Sequence, residues 1–417
     1  MARSSPTRTS RKSPNRDVLG QTRRHAAHIP IHIPEQAKDR HKVLVLQGGG
    51  ALGAYQAGAF EALADSGLSP DWVAGISIGS INCALIAGNP PEKRVAALRD
   101  FWEKTSMATA SLPFVPTGIA RGPWNSASSL EAMMFGVPGF FRPRMPSAWF
   151  TKFTDPTKIS YYDTAPLRET LERLVDFDLL NDGPVRVSLG AVNIETGNLT
   201  YFDSEDTVIT PDHVMASGAL PPGFPPIEID GALYWDGGLV SNAPLQYVLE
   251  DGLQLSCAQG NCPPLLIYQV DLFPASGEAP ATLAGIETRE KDIRFSSRTR
   301  ATTDRMKDLS RVSELARRLA AKLPPELRDD PDLRLLMDAA ANSDVTVIHL
   351  IYRHFAYENG SKDYEFSRPS MLEHWQAGSR DVQRSHANAD WETLLAPGEG
   401  MKAFDLSLRY PKFGALR

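Results

Sequence analysis

The sequence predicts an α/β fold built on a mainly parallel sheet, and three observations carry that expectation. Short apolar runs of strand length alternate with segments of helical spacing from residue 43 onward. Two such strand–helix units follow each other within about fifty residues, which calls for parallel strands joined by right-handed crossovers. The 417 residues are 42% hydrophobic and 23% charged, enough apolar material for a large core. That balance excludes wholesale disorder, a fibrous repeat and a small disulfide scaffold.

The elements follow in order. Val43-Leu44-Val45-Leu46-Gln47 is an apolar run closed by glycines, so a buried strand. Ala54 to Ala64 is rich in small residues and reads as a closely packed helix. Asp71 to Ile76 is the next strand, Ile78 to Ala87 the next helix, and Pro91 to Thr105 a third with Val95, Leu98 and Trp102 on one face. Trp72 to Gly88 carries no charge, but Gly75, Ser77, Gly79, Ser80 and Asn82 make it a strand, turn and buried helix rather than a membrane span. Residues 107–160 read as irregular and rich in Pro, Gly and aromatics, with Met133, Met134, Phe135, Phe140, Phe141, Met145, Trp149, Phe150 and Phe153. Ala165 to Leu180 is an amphipathic helix with Asp163 and Thr164 as caps and Pro166 in its first turn. Strands are expected at Val185–Val192, Leu199–Phe202, Leu265–Val270 and Val345–Tyr352. A charged helical stretch spans 287–340, and the polar tail after 353 yields one helix, around Asp381 to Leu395.

Charge divides the chain. Residues 1–42 hold ten Lys/Arg against three Asp/Glu, while the whole protein has a net charge of −6. This Ser-, Arg- and Pro-rich stretch lacks hydrophobic periodicity and an apolar signal core, so it reads as a disordered basic arm. A transit peptide or a tether to anionic lipid or nucleic acid is its functional alternative. The acidic remainder argues against nucleic acid as a partner. Three cysteines, Cys83, Cys257 and Cys262, suit free thiols in a reducing, cytoplasmic setting. No segment repeats at a fixed period.

Three motifs carry chemistry. Gly48-Gly49-Gly50-Ala51-Leu52-Gly53 is a G-x-G-x-x-G run between a strand and a helix, where outward-facing backbone N–H groups favour negative charge. A dinucleotide site needs an acid at the carboxyl end of the second strand. Here Asp71 precedes that strand, and a serine stands where the acid belongs. That serine lies in Gly75-Ile76-Ser77-Ile78-Gly79, whose flanking glycines allow the sharp strand-to-helix turn that presents a nucleophile. Ser80, one turn into the helix, reads as a packing residue. A base is then required. None of His213, His349, His354, His374 or His386 sits in a recognisable catalytic turn, and His349 lies inside an apolar strand. A carboxylate can serve instead, and Asp236-Gly237-Gly238, after the apolar Ala232-Leu233-Tyr234-Trp235, supplies one on a tight turn.

Together these motifs resemble the patatin-like phospholipase family. The stretch Ala216–Pro221 through Phe224-Pro225-Pro226, Ile229-Asp230-Gly231 and Tyr234–Gly238, ending in Asn242-Ala243-Pro244-Leu245, is close to that family's signature around its aspartate. The resemblance covers residues 43–275. It implies a three-layer α/β/α fold and a catalytic domain over that range that hydrolyses lipid acyl esters. It also implies Ser77 as nucleophile, Asp236 as general base, and an oxyanion hole of Gly48, Gly49, Gly50 and Gly53. Gly75 and Gly79 shape the nucleophile's turn, and Gly237 and Gly238 that of the aspartate. Neither metal nor organic cofactor is called for. Leu52 stands where many members carry a basic residue, so neutral lipids, thioesters and hydroxyalkanoate oligomers compete with phospholipids as substrates. A histidine-based triad and a catalytically silent interaction module are further alternatives. Residues 276–417 resemble the C-terminal extension of a bacterial branch, helical with a late strand packed on the same domain. The apolar segment 133–153 and the basic arm are the candidates for peripheral membrane contact. Arg142 and Arg144 are placed to meet phosphate or to solvate that segment. The oligomeric state has no signal in the sequence.

Overall fold

The computed structural model describes residues 33–106, 116, 120–147, 155–250, 264–296, 299–324, 327, 330–338, 344–355, 357–396 and 401–407. Trp149, Phe150, Phe153, Cys257, Cys262 and the basic arm before residue 33 lie outside them. The strands are β1 (His41–Leu46), β2 (Trp72–Ile76), β3 (Arg142–Pro143), β4 (Tyr162–Asp163), β5 (Arg186–Asn193), β6 (Leu199–Asp203), β7 (Ile227–Ile229), β8 (Ala232–Asp236), β9 (Leu265–Asp271), β10 (Val345–Ile351) and β11 (Met401–Asp405). Nine of them form one central sheet in the order β11-β10-β9-β1-β2-β5-β8-β7, with β6 also paired to β5. From β11 to β5 every pairing is parallel, and β6, β7 and β8 are antiparallel additions at one side.

Helices flank this sheet, and the central strands are accordingly apolar without alternation. Every residue of β2 and β9 is buried, as are the last four of β1. Strands covered on both faces have no solvent side to carry polar residues. The register Val45↔Ala74 and Val45↔Gln269 aligns β2 and β9 about β1, so the turns that follow β1 and β2 emerge side by side at one edge.

Several sequence expectations need correction. Order begins ahead of residue 43, with a helical turn Glu35–Lys38 and a strand that starts at His41. The last basic residues of the expected arm are structural. Arg40 is buried and donates to Leu265 O, Thr346 Oγ1 and Leu395 O besides pairing with Asp344, while Lys42 pairs with Asp71. The stretch expected to be irregular contains a helix, Arg121–Phe135. The helix expected over 165–180 is two, Ala165–Leu174 and Phe177–Asp182, because Asp176 turns out of helical geometry and caps the second through Leu179 N–H. Asp163, not Thr164, supplies the side-chain cap of the first, accepting from Ala165 N–H at 3.0 Å.

The tail differs most. It holds the helices Arg368–Asn388 and Trp391–Leu395 and a further strand, β11, where one helix was expected. Arg368–Asn388 crosses the helix Gly53–Asp65 backbone to backbone. A Cβ on Gly58 would collide with Trp375 O, and one on Gly378 with Tyr55 O. Two polar contacts close the crossing, Tyr55 Oη to Asp381 at 2.8 Å and Trp375 Nε1 to Glu61 at 2.6 Å. Among the described residues no helix is long and apolar enough to cross a membrane.

Candidate active site

Ser77 lies between the end of β2 and the helix Ile78–Ala87, at φ 55° and ψ −123°. A non-glycine residue rarely adopts positive φ, and such strain persists where the surrounding structure imposes it. Two contacts impose it here. Gly79 packs so closely on β1 that a Cβ would strike Leu46 O. The Ser77 N–H donates to Ser217 Oγ at 3.0 Å. Ser217 in turn donates to Gly190 O at 2.6 Å, which leaves Ser80, 2.6 Å away, to donate to Ser217. Ser80 is therefore more than filler: it belongs to the hydrogen-bond chain that holds the turn.

Asp236 ends β8 opposite Ala191 of β5. That register carries its side chain in beside Ser77. The residue is 2% exposed, and one carboxylate oxygen accepts from Gly238 N–H at 2.7 Å. Burial pushes its carboxyl up to about 6, against the opposing pull of hydrogen bonds from the Ser77 hydroxyl and the Gly238 N–H. A buried carboxylate in contact with a half-buried hydroxyl, poised near neutral pH, is able to accept a proton from it.

The glycine loop runs past the same point. Gly48 is so close to Ser77 that a Cβ would approach the serine Cβ to 3.1 Å. Its N–H is already used, donating to Asn242 O at 3.1 Å, and the Gly53 N–H closes a tight helical turn on Gly50 O. Among the described residues the N–H groups of Gly49 and Gly50 have no acceptor. Of the four glycines expected to donate, these two are thus available, and Gly48 and Gly53 shape the loop. Asn242 binds the loop a second time, Nδ2 to Gly48 O at 3.0 Å.

Ser77, Asp236, Gly48, Gly49, Gly50 and Gly238 all open into one cavity of about 290 Å³. Its wall is apolar and aromatic, from Ile81, Phe140, Phe141, Leu220, Phe224 and Phe366 among others. The described residues lining it include two carboxylates, Asp236 and Asp363, but no lysine, arginine or histidine. The five candidate histidines have other partners: His349 faces Asp271, His354 Asp292, His374 Glu358, His386 Tyr268 and His213 the Thr210 cap. Leu52 is fully buried and does not line this cavity. Arg142 is paired with Asp163, and Arg144 donates to Ser160 at 3.1 Å. Among the described residues no group of three His, Cys, Asp or Glu is arranged to hold a metal ion.

Residues 44–249 match the family model described as Patatin-like phospholipase, and residues 293–397 match a second, described as Patatin phospholipase. The chain belongs to the patatin-like phospholipase family. As a family member it is a hydrolase acting on lipid esters, with the C-terminal region that the second model describes. A solved structure, VipD from Legionella pneumophila, aligns with 82% of this chain and 67% of that one at 11% identity and a TM-score of 0.30. No curated protein matches the chain. Sequence reasoning assigned no role to Asn242, Ser217, or the Asp363, Tyr364 and Phe366 that reach this patatin-like site. Asn242 and Ser217 at least fall within the signature stretch, whereas nothing near residue 363 distinguishes it from an ordinary polar turn.

Proposed function

We propose that this lipid acyl hydrolase works through a Ser77–Asp236 dyad with the Gly49 and Gly50 N–H groups as its oxyanion hole. The observation that carries the reading is the buried Asp236 carboxyl, held near 6, in contact with a strained serine at the floor of an apolar cavity. Asp236 takes the Ser77 proton as the hydroxyl oxygen attacks the ester carbonyl. Negative charge on the tetrahedral oxygen faces the two free N–H groups. Collapse expels the alcohol, which leaves with the proton from Asp236. Water then attacks the acyl-serine, again giving its proton to Asp236, and the acid departs as Ser77 is reprotonated. Ser77→Ala and Asp236→Asn are each expected to abolish turnover of p-nitrophenyl esters in folded protein. Full activity in either excludes the dyad.

Met133 and Tyr161 line the cavity and are exposed, and neighbouring stretches of the chain carry further exposed apolar side chains, which supports a lipid interface as the source of substrate. Phe135 is 71% exposed and Met145 85%, with Met134, Ile159 and Tyr161 also exposed. Exposed apolar patches of this kind mark binding surfaces. Co-sedimentation with neutral and anionic vesicles tests it, and absence of binding to both overturns it. A second reading, uncharged acyl esters rather than phospholipids, is favoured by a cavity wall that, among the described residues, has two carboxylates and no cation. A screen across phospholipids, triacylglycerols and short-chain esters, run beside Ser77→Ala, separates the two.

A further inference from the structure

The glycine loop is gripped by residues far from it in sequence. The helix Leu283–Phe295 ends with the Phe295 carbonyl accepting from two side chains, Gln47 Nε2 at 2.9 Å and Asn242 Nδ2 at 2.8 Å. Gln47 immediately precedes the loop, and Asn242 binds Gly48 through both main chain and side chain. On the loop's other side lies the tight turn Lys362–Tyr364. Gly50 has φ +55°, and a Cβ there would run into the Asp363 carbonyl. Helix and turn are joined by two ion pairs that cross. Lys291 of the helix reaches Asp363 at 2.5 Å and Gly360 O at 2.8 Å, and Lys362 of the turn reaches Asp292 at 2.6 Å. The side chains of Lys362 and Asp292 are exposed by only 1% and 2%.

We propose that these four residues, Lys291, Asp292, Lys362 and Asp363, are positioning residues. They lock helix and turn into a clamp that sets the Gly49 and Gly50 N–H groups at the height of the reacting carbonyl. Buried ion pairs seldom add net stability over apolar residues of similar volume, and their best-attested use is to fix a register. Here each element supplies one cation and one anion, so a slip of either separates both pairs. What the pairs hold in register is the Phe295 carbonyl against Gln47 and Asn242, and the Asp363 carbonyl against Gly50. The C-terminal region, outside the part of the chain that carries the motifs, thereby becomes part of the active site.

This inference rests on the oxyanion-hole reading above, and the test keeps the two apart. Asp363→Asn and Lys291→Gln are made in the full-length chain and checked for native folding by near-UV circular dichroism. Each is assayed on p-nitrophenyl butyrate and for the rate of fluorophosphonate labelling, beside Ser77→Ala. Losing one oxyanion donor costs on the order of 10²–10³ in rate, so a displaced loop is expected to lower kcat by at least about tenfold. KM should stay within about twofold, as for a group that acts only in the transition state. Labelling should slow in parallel, since phosphonylation also builds charge on that oxygen. The double variant should be no slower than the slower single one, because the pair acts as a unit. Wild-type kcat in a folded variant, or a change confined to KM, overturns the clamp while a dead Ser77→Ala leaves the dyad standing. Turnover by Ser77→Ala overturns the dyad itself. Lys291 is the more exposed partner, and Lys291→Gln decides alone if Asp363→Asn does not fold.

Discussion

Between Gly48 and Gly238 the chain concentrates its chemistry in short contiguous motifs, each a turn between two regular elements. Between Leu283 and Asp405 no such motif occurs, yet this region contributes β10 and β11 to the sheet, the helix that crosses Gly53–Asp65, and the contacts on the glycine loop. The two regions differ in what a residue is selected to do. A nucleophile or base must be one residue type on one kind of turn, so it leaves a local signature. A residue that holds a loop from outside needs only charge and reach, which many polar turns have. Motif density therefore marks where bonds are made and broken, and is a poor guide to which residues hold that place in shape.

Removing the C-terminal region tests whether the motif-bearing part of the chain stands without it. A chain ended at residue 275 would strip β10 from β9, exposing the backbone edge of a strand buried along its whole length. It is expected to yield no soluble, cooperatively melting protein, and a sharp melting transition from that truncation would show that the motif-bearing region folds alone. Next in size is Gly50→Ala. Strain at φ +55° and the collision with the Asp363 carbonyl should cost about 1–3 kcal/mol of stability. Activity should fall more than that loss accounts for, which thermal melts and rate measurements on the same sample will check.

Asp236 sharpens the contrast between making chemistry and holding shape. Its carboxyl must be ionised to accept a proton, so kcat/KM should fall as pH drops through about 6, with the acid limb absent in Asp236→Asn because no turnover remains. Linkage runs in the opposite direction for stability. A folded-state value raised from 3.8 means the fold prefers the protonated form, so stability is lost as pH rises through about 6. Asp236→Asn should therefore be more stable than the native protein at pH 8, by about 1–3 kcal/mol, measured by denaturant titration. A pH-independent difference between the two proteins would contradict the raised value. The smallest effect belongs to Ser77→Gly. Glycine adopts the positive φ of that turn freely, so relief of strain should add about 1 kcal/mol, less the glycine's own entropy cost. A loss of stability there would show that the serine's hydrogen bonds outweigh its backbone strain.

The parallel α/β class, the helix Ile78–Ala87 to the residue, and the tight turns at Ser77 and Asp236 are legible in the sequence. Apolar periodicity and glycine placement are local properties, written into a few adjacent residues. Sequence alone misjudged the helix Arg121–Phe135, which lies in a stretch read as irregular, and the helix Arg368–Asn388, which lies in a polar tail and is held by a backbone crossing at Gly378. Tertiary structure alone decided which glycine N–H groups stay free, that Asp236 is buried enough to sit near 6, and that Asp363 stands against Gly50. Each of these is set by what packs around a group from distant parts of the chain, and no arrangement of neighbouring residues encodes that.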